Sequence, residues 1–477
     1  MGHLESTSHL RERATPVKTR GRSFVAVAVY VVVTAYSYTR ITSPVYAYMG
    51  LVTNINLFKL VVALGAVAAF YALQGRGERV SDYLAYLLYL NALVPGLVIG
   101  ALADFDNYYF VVFILAYMTV FASLRYLPPL AIGDVRFGRL TEKRFVALLF
   151  VGTLGLWIFL VYRLGGVDVR TLDILGVSAI RNEIVVGTSG YLGAWLSSVL
   201  IPVLMVYAAY YGKKALLVIS IAMQLVFYAS SGQKTVLFSV VLVILVVVLA
   251  RTKRWYGGLP IVYSLMLAVA DLIYMMYKDV SAIAIINVRL FAMPAVISNR
   301  YVEFFQANPY LRFSEGLIGT SLGIPYPYTR SIGYVVAENY GLMNDNENTG
   351  FISDAFSNGG LVAVVVISLL LVIILWYVDG LTRGSRNLGF YACLLAYPMT
   401  MLSNGSLLTV ILTQGLFLLL LIVFVFRRVD TSAGGSDVSA IDALPSPPVT
   451  NAGRSPGDPA GRAGSEGVLR RVLKGSH

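Results

Sequence analysis

Apolar runs of about 17 to 25 residues, the length that crosses the hydrocarbon core of a bilayer, follow one another along the chain, divided by charged residues or by Gly, Pro and Asn. They begin near Phe24, Leu57, Tyr83, Tyr108, Phe145, Tyr191, Ala215, Val236, Leu259, Phe351, Leu388 and Leu407. Away from water only a helix satisfies all its own backbone hydrogen bonds, so each run predicts a helix. The expected fold class is all-α: a polytopic integral membrane protein with about 12 transmembrane helices and a long, partly helical extracytoplasmic loop.

The polar connections between the runs alternate in charge. Arg11, Arg13, Lys18, Arg20 and Arg22 precede the first run. Basic residues return at Arg76 and Arg79, at Arg136, Arg139, Lys143 and Arg144, at Lys213 and Lys214, at Arg251, Lys253 and Arg254, at Arg383 and Arg386, and at Arg427 and Arg428. Every second connection is therefore basic, which places those connections and both termini in the cytoplasm. The division that follows is a basic cytoplasmic tail at 1–22 and helices over 23–277 with an outer loop at about 165–189. A large outer loop at 278–350 and three further helices over 351–428 come next. Residues 429–477 are rich in Ser, Gly, Pro and Ala and bury too little apolar surface to fold, so they read as a disordered cytoplasmic tail.

Composition agrees with a bilayer as the main solvent, at 57% hydrophobic and 13% charged residues with a mean hydropathy of +0.73. The net charge of +12 sits at the ends of apolar runs and not on one continuous face, which reads as topology and excludes a nucleic-acid partner. The basic start resembles the first part of a signal peptide, but no small-residue cleavage site follows, so a retained first span is expected. Cys393 is the single cysteine and lies in the apolar YACLLAY, so one chain holds no disulfide. His3, His9 and His477 all lie in polar tails, which leaves no histidine for a site.

The outer connections hold arginine in preference to lysine: Arg163, Arg170, Arg181, Arg289, Arg300, Arg312 and Arg330 against Lys234 and Lys278. A guanidinium presents a rigid fork that matches two oxygens of a phosphate. Headgroup contacts, or pairing with carboxylates such as Glu183 or Glu303, are the competing use of these arginines. Lys234, in the tight turn SSGQK, and Lys59, after NINLF, are cations expected at a membrane interface. The long loop supplies Asp279, Glu303, Glu315, Glu338, Asp345 and Glu347, and Asp354 lies just inside the next span. With histidine excluded, a base must come from this set. Asp354 enters an apolar run, where a carboxylate must pair with a cation or face a polar cavity. Tyr326, Tyr328, Tyr334 and Tyr340 offer faces and hydroxyls to sugar rings, or form an interfacial aromatic belt.

Several of these segments together resemble the oligosaccharide repeat-unit polymerases, the O-antigen polymerase or Wzy-type family of GT-C-like membrane glycosyltransferases. The resemblance rests on Arg289 in NVRLFAMPAV, on the loop from Lys278 to Gly350, on NTGFISDAFSNGG from Asn348 to Gly360, on SSGQK with Lys234, and on Arg330 and Gly341 with ten residues between them. It covers roughly 180–426. Departures are Phe356 where tyrosine is usual, Gly359 where an aromatic is usual, and Leu192, with Gly193 one later, where a glycine spaced from Arg181 should fall. The resemblance implies inverting glycosyl transfer at the outer face of a bacterial cytoplasmic membrane, with no cofactor, nucleotide sugar or metal. Donor and acceptor would both be undecaprenyl-pyrophosphate-linked glycans, and membrane lipids, a chain-length regulator and a flippase the partners. The catalytic carboxylate is expected among Asp354, Glu347 and Asp345. Arg289, Arg181, Arg330, Lys234, Asn348, Tyr328 and Tyr334 are expected to bind pyrophosphate or glycan. The competing readings are an O-antigen ligase-like transferase, which usually relies on an outer-loop histidine, and a transporter or flippase for lipid-linked sugars, which wants charges along a path through the spans.

Overall fold

The computed structural model describes residues 16–128, 130, 132, 140–168, 170, 189–342, 345–385 and 387–441. Among them every regular element is a helix. In chain order these are α1 (Ser23–Val45, the apolar part of a helix starting at Pro16), α2 (Leu57–Leu73), α3 (Val80–Leu102), α4 (Asn107–Tyr126), α5 (Glu142–Arg163) and α6 (Gly190–Tyr210). There follow α7 (Lys214–Ser231), α8 (Lys234–Arg251), α9 (Trp255–Tyr277), α10 (Ser281–Ala307), the short α11 (Leu317–Leu322) and α12 (Ile332–Asn339), and α13 (Phe351–Thr382). The last are α14 (Leu388–Met401), α15 (Leu407–Leu412) and α16 (Leu416–Ile441). Ten of these are long and apolar enough to cross a membrane, and α2 and α14 are shorter apolar helices. The molecule is thus a multi-pass helical membrane protein. The described residues up to Ser432 form one compact unit, and of the second, from Ala433 on, the described part is the end of α16.

Prolines shape four of the helices. π turns occur at Tyr38–Thr42, Tyr89–Leu93, Leu196–Leu200 and Ala284–Ala292, and each is followed two residues later by Pro44, Pro95, Pro202 or Pro294. A proline ring clashes with the carbonyl four residues before it and offers that carbonyl no N–H. In all four places that carbonyl lies inside the widened turn, which takes up the clash and keeps the helix continuous.

Two sets of connections mark the ends of the bundle. At the upper end Asn54 N donates to Leu102 O (2.9 Å) and Asn56 N to Ala101 O (3.1 Å), which joins the α1–α2 and α3–α4 connections. At the lower end Arg79 donates to Leu124 O and Leu127 O, Arg251 to Ala209 O and Arg427 to Leu381 O and Arg383 O. Ser81 binds Asp379, and Trp255 donates to Tyr83 O. Basic connections from along the sequence are therefore gathered at one end.

Three expectations change. The segment expected as an outer loop from residue 278 begins with α10, a 27-residue helix. Yet α10 starts and finishes at the upper end: Tyr46 Oη donates to Val280 O (3.3 Å), while Asn299 accepts from Asp106 N (3.1 Å) and Gln306 donates to Asp106 (3.1 Å). Between these contacts Phe291 packs on Tyr30 and Tyr263 in the core. The last long helix begins at Leu416, not Leu407, because Gly415 turns the chain at φ 82° where a side chain would press on Trp195 and Val199. It also runs to Ile441, past the expected tail boundary at 429, since extending an existing helix adds a hydrogen bond for each residue ordered. The rest of that tail, 442–477, lies outside the described residues.

Candidate functional site

The segment from Asp345 to Gly360 is held by backbone contacts to three parts of the chain. Residues 345–350 are non-helical, with Glu347 N donating to Gly333 O (3.2 Å), and Phe351 N donates to Leu402 O (3.0 Å) as α13 starts. Gly350 admits this approach, because a β-carbon there would lie 2.6 Å from Ser403 O. After two turns α13 breaks at Gly359 (φ 178°, ψ 32°) and Gly360 (φ 63°, ψ −150°). Position 360 is in a conformation open to glycine, with Tyr310 Oη only 3.0 Å from where a β-carbon would stand. Carbonyls that would accept bonds from four residues on are released by the break. The preceding loop takes them: Leu311 N donates to Ser357 O (2.8 Å) and Arg312 N to Asn358 O (3.1 Å). Phe313 N also donates to Asn358 Oδ1 (2.7 Å).

Asp354 sits on this two-turn helix, partly buried. Its carbonyl accepts from Ser357 Oγ and Asn358 Nδ2. Its carboxylate makes no hydrogen bond or ion pair among the described residues and lies close enough to Glu315 for the two charges to repel. The hydroxyl of buried Tyr301 feels Asp354, Glu315 and Glu347 together. Glu315 is fixed at the start of α12 by Ser331 Oγ (2.7 Å) and Ile332 N (3.2 Å). Of the two outcomes expected for Asp354, pairing with a cation is not found among the described residues.

Beside it lies a buried ion pair. Glu347 and Arg300, with side chains 3% and 6% exposed, bind each other directly. Arg300 also donates to Met49 O (2.7 Å) and stacks under Tyr340 at 5.3 Å, whose hydroxyl donates to Glu303 (2.9 Å). Burial pushes the Glu347 carboxyl above its ordinary range while Arg300 opposes the shift. Its Oε2 atom is buried with no hydrogen-bond partner among the described residues. Arg300 closes one wall of a cleft of about 460 Å³ at the upper end, lined also by Lys59, Asp104, Asp106, Asn299, Glu303 and Tyr340. Lys59 Nζ is spent there on Asp104 (2.6 Å) and Phe105 O (2.5 Å). The bonds from Lys59 and Asn56 hold the Asp104 carboxyl below its ordinary range.

The other residues expected at the site are spread out. Asp345 and Asn348 flank Glu347 and are exposed. Arg330 is an exposed partner of Glu338 and lies over Tyr334 at 4.9 Å. The Arg330 to Gly341 spacing is the length of α12 with its caps: Gly341, at φ 77°, donates to Glu338 O, and Leu342 N to Ala337 O, which closes the helix in a Schellman motif. Tyr328 Oη is spent on Pro309 O (2.6 Å) and Tyr326 Oη on Arg330 O (2.9 Å), so both hydroxyls stitch the loop to itself. Lys234 opens α8 after the two-residue turn Gly232–Gln233. Arg289 is exposed on the π turn of α10 and, like exposed Arg312, makes no ion pair among the described residues. Arg181 lies outside the described residues.

Arg300 and Lys59 are visible in the sequence as outer cations, but their pairings with Glu347 and Asp104 are not. Their partners are 47 and 45 residues away, and only the folded upper end brings them together. Comparison with family models, with characterised proteins and with solved structures finds no match.

Proposed function

We propose that the chain is a membrane glycosyltransferase that polymerises undecaprenyl-pyrophosphate-linked oligosaccharide repeat units into cell-surface polysaccharide at the outer face of a bacterial cytoplasmic membrane. The observation that carries this reading is the Asp354 carboxylate, which has no partner among the described residues and lies in the glycine-broken segment that resembles the polymerase family. In this reading the upper end faces outward. Leaving out α10, which returns to the end it left, and adding α2, α14 and α16 gives twelve spans and two cytoplasmic termini.

Asp354 takes the proton of the acceptor sugar hydroxyl as that oxygen attacks the anomeric carbon of the donor. The bond from this carbon to the pyrophosphate oxygen breaks, and its electron pair leaves with the lipid pyrophosphate. Charge grows on the departing oxygen, so a donor fixed against it lowers the barrier. Arg289 and Arg312 suit that task because neither is neutralised by a carboxylate among the described residues, whereas Arg300 and Arg330 are. Glu347, bound to Arg300, acts by holding the segment in place.

Purified protein given lipid-linked repeat units and no nucleotide sugar or metal is expected to build a ladder of longer glycans. Asp354→Asn should abolish the ladder while leaving expression and melting temperature unchanged. A normal ladder from Asp354→Asn would remove Asp354 as the base, and absence of any ladder from the wild type would reject polymerisation.

A further inference from the structure

Asp271 is a carboxylate well inside α9, only 3% exposed, and the proposed reaction makes no use of it. Its Oδ1 accepts from Asn287 Nδ2 (2.6 Å) and Ser37 Oγ (3.1 Å). Asn287 Nδ2 also reaches Ser37 Oγ (2.8 Å) and Thr42 Oγ1 (3.5 Å). All these donors are neutral. Among the described residues Asp271 makes no ion pair, and its carboxylate is bonded by Asn287 and Ser37 alone. Arg40 and Arg289, which share the π turns of Thr42 and Asn287, are exposed and make no ion pair among the described residues.

The cluster therefore holds one negative charge and a surplus of acceptors. Among the described residues Asn287, 2% exposed, has no donor to its Oδ1, and the hydrogen bonds to Asp271 fall on Oδ1 and not on Oδ2. An ionised carboxylate in such surroundings is costly unless a positive charge joins it. The two π turns that meet here, Tyr38–Thr42 and Ala284–Ala292, are a helix form that gathers at functional sites. Membrane transporters likewise place their small-cation sites where a helix departs from regular geometry, though there by a full break.

We infer that Asp271, Asn287, Ser37 and Thr42 form a buried site for one small cation, either a proton or an alkali ion, which fastens α10 to α1 and α9. The ligand chemistry is a single positive charge among hard oxygens, and the two sources differ in what they respond to. Thermal unfolding of the purified full chain in detergent separates them, with NaCl, KCl and choline chloride compared at one ionic strength and, separately, a pH series at fixed salt. An alkali ion raises the wild-type melting temperature by about 2 °C or more over choline. A proton raises it on acidification and leaves the salts equivalent. Either response should be absent in Asp271→Asn, whose amide keeps the shape and removes the charge. Asn287→Ala, which keeps the carboxylate, should move the midpoint of the same response at least about tenfold in Na+ concentration, or about one unit of pH. If Asp271→Asn does not fold, Asn287→Ala and Ser37→Ala carry the test by that midpoint. Identical salt and pH responses in the wild type and these variants would overturn the site.

Discussion

Two buried side chains of opposite charge make Arg300 and Glu347 more informative about stability than any exposed pair in the loop. Removing one partner from a buried pair strands the other and costs about 3 to 5 kcal/mol, whereas replacing both by apolar groups of similar size is often nearly neutral. Arg300→Ala should therefore unfold at markedly lower denaturant, with Arg300→Met combined with Glu347→Leu recovering most of the loss. By contrast Arg330→Ala breaks an exposed pair with Glu338 and should cost under about 1 kcal/mol. Asp104 gives a pH signature. Because its folded carboxyl is held below the ordinary range, its contribution is present above the unfolded value of about 3.9 and lost as pH falls through the lower folded value. Wild type should thus melt progressively earlier on acidification from about pH 5, and Lys59→Ala should flatten that part of the curve. At this scale the sequence showed which residue types were available but not their pairing. Arg300 is one of seven outer arginines, and nothing in the sequence separates its partner Glu347 from a candidate base.

At the scale of elements, length and apolarity made the main helices legible, because a span must satisfy its own backbone whatever it packs against. α10 was not legible as a helix that returns to its starting end. Asn287, Arg289, Asn299 and Arg300 interrupt its apolar pattern, and only contacts to Tyr46 and Asp106 reveal where its ends lie. The prolines were visible, but the widened turns they impose came from the structure. Pro294→Ala restores an N–H and relieves the clash, so the turn should relax towards an ordinary α-helix. Each residue taken out of a turn rotates what precedes it by about 100°, which would swing Asn287 away from Ser37. A disulfide between Ser37→Cys and Asn287→Cys in a Cys393→Ala background should form readily with Pro294 present and poorly in Pro294→Ala.

For the whole molecule the grouping of connections at two ends gives the orientation test. Single cysteines introduced at Asn308 and Asp345, again without Cys393, should react with a membrane-impermeant maleimide in intact cells, and one at Lys253 should react after lysis only. Labelling of Lys253→Cys in intact cells would invert the orientation and with it every role given to the upper end. The glycine break has a consequence at this same scale. Leu311 and Arg312 are tied to α13 through main-chain atoms at Ser357 and Asn358, so these bonds ask nothing of the exposed side chain at 312, while Leu311 is held in addition by burial in the core. Under the proposed function the two glycines are a fixed socket for the loop's main chain, so exposed loop side chains other than Arg312 could change towards a different sugar while Asp354 stays where it is.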